Sequence, residues 1–340
     1  MDHSKLKNMI FDLCRAGGVS GGEEEVHEAV RRYLDPYAEV SVAPDGTVTA
    51  VLGNENAEKT ILLDAHLDRI GVIVTDIDER GFAKIDGVGG VDERTLQDAR
   101  LSGKNGVTGT VCCLPPHLSD GGDKAVPMNK VWLDFGMSPD EVKKRVSIGD
   151  RLTFCTQPRE LLGDKITAPA LDNRCGVAAL IRAAQLIDTT DYRVVILLSS
   201  QEETCGAGAK TGAFRVCADE AVCVDVSFAA QPDVSGQYGG IGLAKGPMIC
   251  ISPVLDRGMT DALTDLAEKS DIPYQLEPIS GRTGTNGDHI AVTRGGVKTA
   301  LVSVPQRYMH TPVEVISLCD VENTARLIAA YINSGGVQNG

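Results

Sequence analysis

Polar residues able to do chemistry recur in this 340-residue chain at the ends of its most apolar stretches. His66-Leu67-Asp68 follows the run TILLDA (60–65). At the C-terminal end of a buried strand, such a pair faces the crevice where open α/β sheets bind ligands, although a His there can also be a hydrogen-bonded structural residue. Asp172, in ALDNRCG, precedes the apolar helical run GVAALIRAAQLI (176–187). It can cap that helix, or offer carboxylate oxygens to metal ions.

Glu202 and Glu203 end a strand of nearly pure Val, Ile and Leu in VVILLSSQEETCGAGAK. Adjacent carboxylates after a buried strand repel each other and are costly to desolvate. Either they sit at a solvated helix start, or they divide labour, one binding a cation and the other keeping its oxygens free as a base. Asp225 closes the strand VCVD, and His310 lies in RYMHTP after the strand TALVSVP. Two histidines and three carboxylates, one of them bridging, suit a pair of zinc-like ions.

The elements that must position these residues are legible as periodicity. Leu6, Met9, Ile10 and Leu13, then Val26, Ala29, Val30 and Tyr33, mark two helices separated by GGVSGGEEE, with acids placed well for the second helix dipole. The stretches AEVSVAP and GTVTAVLG meet at the turn Pro44-Asp45-Gly46. From about 70 to 162 the chain reads as short strands punctuated by Gly and Pro, with one helical stretch at 138–146. Helical and parallel-strand patterns then return, with helices expected around 258–270 and 320–333. The expected fold is α/β, a mixed sheet flanked by helices with a small inserted β-barrel-like domain. Residues 1–69 plus 163–340 form the catalytic part and 70–162 the insert.

Composition narrows the function classes. The formal net charge of −14 argues against a nucleic-acid partner. No run approaches the ~18 apolar residues of a membrane span, and the N-terminal stretch has no apolar leader, so the chain is expected to be cytoplasmic. Aromatics are scarce at 4%. The 10 cysteines show no zinc-ribbon spacing and read as reduced, small buried hydrophobes.

The motifs AHLDRIG, ALDNRCG, QEETCGAGA, VDVS and RYMHTPVE, in that order over nearly the whole chain, resemble those of the M42 metallo-aminopeptidases. The resemblance implies that His66, Glu203, Asp225 and His310 ligate metal and that Asp172 bridges two divalent ions per subunit (Zn²⁺, Co²⁺ or Mn²⁺). It further implies that Glu202 is the general base and that Asp68 orients His66. Peptide substrates would lose N-terminal residues to a metal-activated water. The insert would help build a homo-oligomer, in the family often a tetrahedral dodecamer.

Two departures from the family pattern stand out. Arg69 follows Asp68 where the family often has an acid or amide, which bears on local electrostatics and substrate preference. The segment 284–289 resembles a family loop that usually has a small apolar residue further in, so Asp288 and His289 either alter the pocket or form a solvated loop pair. Arg257, Arg282 and that loop are candidates for the substrate pocket, where a cation would favour acidic side chains. Competing readings are a metal-dependent deacylase of a small N-acyl compound, a glycoside hydrolase, and an inactive assembly protein. The glycosidase reading would leave the His and Asp partners of Glu202 and Glu203 without a role.

Overall fold

The computed structural model describes residues 3–118, 125–188, 191–232, 234 and 236–337. The chain opens with α1 (His3–Arg15) and α2 (Glu24–Leu34), which bury Leu6, Met9, Ile10 and Leu13, and Val26, Val30 and Leu34. The hairpin β1 (Glu39–Val42) and β2 (Val48–Gly53) turns where Asp45 accepts the Thr47 N–H at 3.0 Å. Then β3 (Thr60–His66) is buried at every position, as an unbroken apolar run requires.

Next come β4 (Gly71–Ile77), β5 (Ala83–Val88), α3 (Glu93–Leu96), β6 (Arg100–Ser102), β7 (Thr108–Cys112), β8 (Trp132–Asp134), α4 (Pro139–Arg145) and β9 (Arg151–Phe154). Their strands close into a barrel in the order β4-β5-β8-β7-β6-β9. Val72, Val74, Ile85, Leu101, Val111, Leu133 and Leu152 fill it, supplied by alternate positions of each strand. Ser138 and Glu141 form a capping box that starts α4. The first and last strands of the barrel pair with each other, Val72 opposite Leu152 and Ile73 opposite Arg151.

The remainder comprises β10 (Arg159–Glu160), β11 (Lys165–Ala168), α5 (Leu171–Ala184), β12 (Arg193–Ser199), α6 (Ala207–Val216), β13 (Glu220–Phe228), β14 (Met248–Ile251), α7 (Arg257–Lys269), β15 (Gln275–Pro278), α8 (Gly287–Ile290), β16 (Lys298–Gln306), β17 (Glu314–Ser317) and α9 (Leu318–Asn333). An 8-stranded mixed sheet runs β1-β2-β12-β3-β13-β16-β14-β15. Residues of α1, α5 and α9 pack with Leu63, Ile196 and Val302 on one face. Ala209 and Ala213 of α6 pack with Leu62 and Leu197 on the other. The fold is thus a mixed α/β sheet between helices, with a closed barrel. No helix among the described residues is long and apolar enough to cross a membrane.

Strands β12, β3, β13 and β16 are mutually parallel, so their C-terminal ends share one edge of the sheet. His66, the 202–203 pair, Asp225 and His310 all belong to that edge or to the loops leaving it. Strand β14 runs antiparallel to β16. It therefore delivers the start of α7 to the opposite end of the sheet, where Asp256 donates its N–H to the Thr299 carbonyl at 2.8 Å. Arg257 is consequently not a pocket residue, and it pairs instead with Asp261 at 2.8 Å. The cysteines also differ from expectation. Cys14, Cys175, Cys223 and Cys250 are buried, but Cys205 and Cys217, which flank α6, are exposed.

Candidate metal centre

Five segments converge on one cluster of nitrogen and oxygen donors. His66 ends β3, and its Nε2 lies 3.0 Å from Asp172 Oδ1 and 3.7 Å from Asp225 Oδ1. His310 approaches from the loop after β16, with its Nε2 3.4 Å from Asp172 Oδ2 and 3.4 Å from Glu203 Oε2. The donors form two groups, His66/Asp172/Asp225 and Asp172/Glu203/His310, each with its atoms within 4.8 Å of one another. Asp172 belongs to both and turns one carboxylate oxygen to each. Glu202 belongs to neither. Its carboxylate makes no hydrogen bond among the described residues, while its backbone N–H is held by Asp68.

Local structure explains the placements. Asp172 stands at the start of α5 but keeps the non-helical angles φ −77° and ψ 105°, before a cis Asp172–Asn173 peptide bond. Its carboxylate makes no capping bond, so the capping alternative for this residue is set aside. Asn173 donates to the Val224 carbonyl at 2.8 Å, tying α5 to β13 beside Asp225. The fully buried Asp68 carboxylate accepts the N–H groups of Glu202 at 2.9 Å and Glu203 at 3.1 Å. His66 Nδ1 lies 3.2 Å from the Asp68 carbonyl oxygen and 3.6 Å from its carboxylate.

The electrostatics match a crowded acidic site. Burial drives the Glu202 carboxyl up to about 8, with the Asp225 and Asp172 charges adding to it. Burial, then Asp172, hold Glu203 well above the ordinary carboxylate range, and burial raises Asp225 too. Asp172 goes the other way: against the cost of burial, the imidazoles of His310 and His66 hold it well below. Burial lowers both imidazoles, but the surrounding carboxylates prevail. His66 ends well above its ordinary value and His310 at about 9. Acids that burial pushes towards protonation, interleaved with imidazole nitrogens, are a donor set that fits divalent cations.

Two contributing residues, Glu314 and Glu23, are assigned no role from the sequence. Glu314 is buried and accepts the N–H of Asp172 at 3.1 Å and of His310 at 3.0 Å. Glu23, also buried, accepts the N–H of Gln201 at 3.2 Å. Gln201 and His310 both have φ near +60° (59° and 60°), a left-handed conformation that side chains disfavour. A buried glutamate thus holds the N–H of each. The signal that could have pointed to Glu314 is its place as the last residue of the motif RYMHTPVE, four residues after His310.

The two departures from the family pattern lie behind and beside the cluster. Arg69 is buried and donates to the Cys14 carbonyl at 3.3 Å. Next to it the buried Arg174 donates to the Leu13 and Gly17 carbonyls at 2.8 and 2.9 Å. The two cations therefore secure the end of α1 behind the site. In the 284–289 loop, Asn286 turns inward to Ser199 Oγ at 2.7 Å and Asp64 Oδ2 at 3.0 Å. Asp288 accepts the N–H groups of Thr283 and Gly284 at 2.9 and 3.0 Å, with Arg282 beside it at 3.4 Å. This acid organises its own loop. His289 lies against Gly206, where a Cβ would sit 2.3 Å from the ring.

The chain and its fold are similar to those of known proteins. A family model described as M42 glutamyl aminopeptidase matches residues 46–327. A putative aminopeptidase of Acetivibrio thermocellus is 35% identical over 98% of this chain and 100% of its own length. Aminopeptidase APDkam598 of Desulfurococcus kamchatkensis superimposes with a TM-score of 0.91 at 30% identity, covering 98% of this chain and 95% of that one. The TET1 peptidase of Pyrococcus horikoshii, described as able to assemble into a tetrahedron or a large octahedral shell, gives 0.85 at 28% identity, covering 96% and 99%.

Proposed function

Because the chain belongs to the M42 glutamyl aminopeptidase family, and so is a peptide hydrolase, we propose that it removes N-terminal residues from peptides at a centre for two divalent cations. His66 and Asp225 would hold one cation, Glu203 and His310 the other, and Asp172 both. The observation that carries this reading is the Asp172 carboxylate, with one oxygen 3.0 Å from His66 Nε2 and the other 3.4 Å from His310 Nε2. When bound, zinc, cobalt or manganese supplies Lewis-acid pull on the scissile carbonyl and lowers the pKa of water.

The remaining chemistry belongs to the chain. Glu202, left out of both donor groups, takes the proton of the attacking water at its carboxylate and passes it to the leaving amine. Asp68 positions that base through its main-chain N–H. Glu314 and Glu23 hold the two left-handed residues beside it. The test is release of free amino acids from unblocked and N-acetylated peptides, with native protein and Glu202→Gln. The expected result is turnover of unblocked peptides alone and a 10²–10⁴-fold lower kcat for the variant, on the order of a lost general base. Near-normal turnover by Glu202→Gln would remove the base assignment. Preferred cleavage of the acetylated peptide would favour a deacylase.

A homo-oligomer is part of the same reading, supported by the assembling TET1 relative. Leu162 is 97% exposed next to the exposed Leu161, between β10 and β11, and Leu114, Leu118 and Ile148 are exposed on the insert. Apolar side chains left in water this way suit a subunit interface.

A further inference from the structure

In both halves of the donor cluster the imidazole presents Nε2 to the carboxylates and gives Nδ1 to a main-chain carbonyl. For His66 that carbonyl is Asp68, at 3.2 Å and two residues further along the chain. For His310 it is Gly90, also at 3.2 Å. Gly90 lies just past β5, so the partner of His310 comes from the barrel. A carbonyl oxygen can only accept, so Nδ1 is the nitrogen that keeps its proton, and Nε2, which for His310 faces Asp172 and Glu203, is the one that would bind a cation.

The turn carrying Gly90 is shaped by this half of the cluster. A Cβ on Gly90 would sit 2.5 Å from His310 Nδ1 and 2.9 Å from Cε1. On Gly89, which has φ +76°, it would sit 2.8 Å from Ile70 Cγ2 and 3.2 Å from Glu203 Cβ. At Gly87, in the same strand end, the nearest atom would be 3.5 Å away, an ordinary contact. Two consecutive glycines are therefore pressed against Glu203 and His310. His66 and Asp225 rest on the sheet and on their own segment. The His310 side chain is 33% exposed, so neighbouring bulk alone does not fix its ring.

We propose that the Gly89–Gly90 turn of the barrel is a positioning element of the metal centre, so that the barrel helps to set the Glu203/His310 cation position, whereas the His66/Asp225 position is set by the sheet and Asp172. The proposal rests on the two-cation reading above. It makes the insert a working part of the site as well as an outer surface.

The test compares native protein, Gly90→Ala and the control Gly87→Ala. Each is stripped of metal and titrated with Co²⁺, with cations bound per subunit read by elemental analysis and calorimetry. Native protein and Gly87→Ala should bind two. Gly90→Ala should bind the first as before and the second about 10–100-fold more weakly, as loss of a ligand-orienting partner does. Two native-like sites in Gly90→Ala, or equal loss at both, would overturn the proposal. Native protein that binds fewer than two cations would instead overturn the two-cation reading beneath it. Hydrogen exchange on native protein covers the case in which Gly90→Ala does not fold. The second equivalent of Co²⁺, and not the first, should slow exchange across residues 86–92, and an unchanged rate there sinks the proposal.

Discussion

The Asp68 carboxylate reaches across to the next strand end and accepts the Glu202 N–H at 2.9 Å. Its other oxygen takes the N–H of Glu203 at 3.1 Å. One buried acid therefore fixes the directions in which two neighbouring acids leave the chain. In Asp68→Asn one of those N–H groups would face an amide NH₂. The expected outcome is a 10–100-fold fall in kcat/KM, on the order of a lost ligand-orienting contact. Stability should fall by about 1.5–3 kcal/mol for a buried charge-assisted bond. Steady-state kinetics and urea unfolding check both. Unchanged kinetics would show that the 202–203 turn holds its shape without Asp68.

Glu314 plays the matching part for Asp172 and His310, whose N–H groups it accepts at 3.1 and 3.0 Å. Glu314→Gln retains one acceptor oxygen and turns an NH₂ towards the other donor. Cation affinity should drop by about 10–100-fold, measured by competition with a chromophoric chelator. Because Glu314 touches neither cation in the proposed arrangement, the number of cations bound at saturation should not change.

Glu23 supplies a pH signature. Burial pushes its carboxyl from an ordinary 4.5 up to about 7, although the Gly21 and Gln201 N–H groups oppose the shift. The folded state thus holds this proton more tightly than the unfolded chain. The contribution to stability is full below the unfolded value and is lost as pH rises from about 4.5 to about 7. Thermal melts of native protein against Glu23→Gln over that range should show a flatter dependence in the variant. Parallel curves would remove Glu23 as the source.

Removal of divalent cations should cost both activity and stability. Ligands that bind only the folded state stabilise it by RT ln(1 + [L]/Kd), about 2.7 kcal/mol at a hundredfold excess over Kd. Dialysis against a chelator is therefore expected to lower Tm and abolish peptide hydrolysis, and either Zn²⁺ or Co²⁺ should restore both. Full activity after exhaustive chelation would contradict the proposed chemistry.

Much of the cluster was legible because burial of a strand is written in residue type. TILLDA, VVILLSS, AVCVDV and TALVSV are apolar to their ends, so a polar residue there is conspicuous. What stayed hidden acts through the main chain. Glu314 and Glu23 accept backbone N–H groups and Gly90 offers a carbonyl, functions that any sequence position can supply. Asp172 read equally well as a cap, because the choice depends on a ψ of 105° that composition does not encode. Arg257 was misplaced because the direction of β14 is set by its pairing with β16, not by its hydrophobicity. The short β6, β10, β11 and β17 lack an apolar run long enough to announce themselves, and only partner strands define them.

The barrel begins and ends on one pair of strands, with Val72 opposite Leu152 and Ile73 opposite Arg151. Its two ends are therefore already neighbours, and the excursion behaves as a cassette. A unit whose ends already meet can vary between them without separating the segments on either side. If the exposed apolar side chains of the insert carry the proposed subunit contacts, varying this cassette would change how subunits meet. Whatever replaced it would have to return one main-chain carbonyl to the place where Gly90 now holds it.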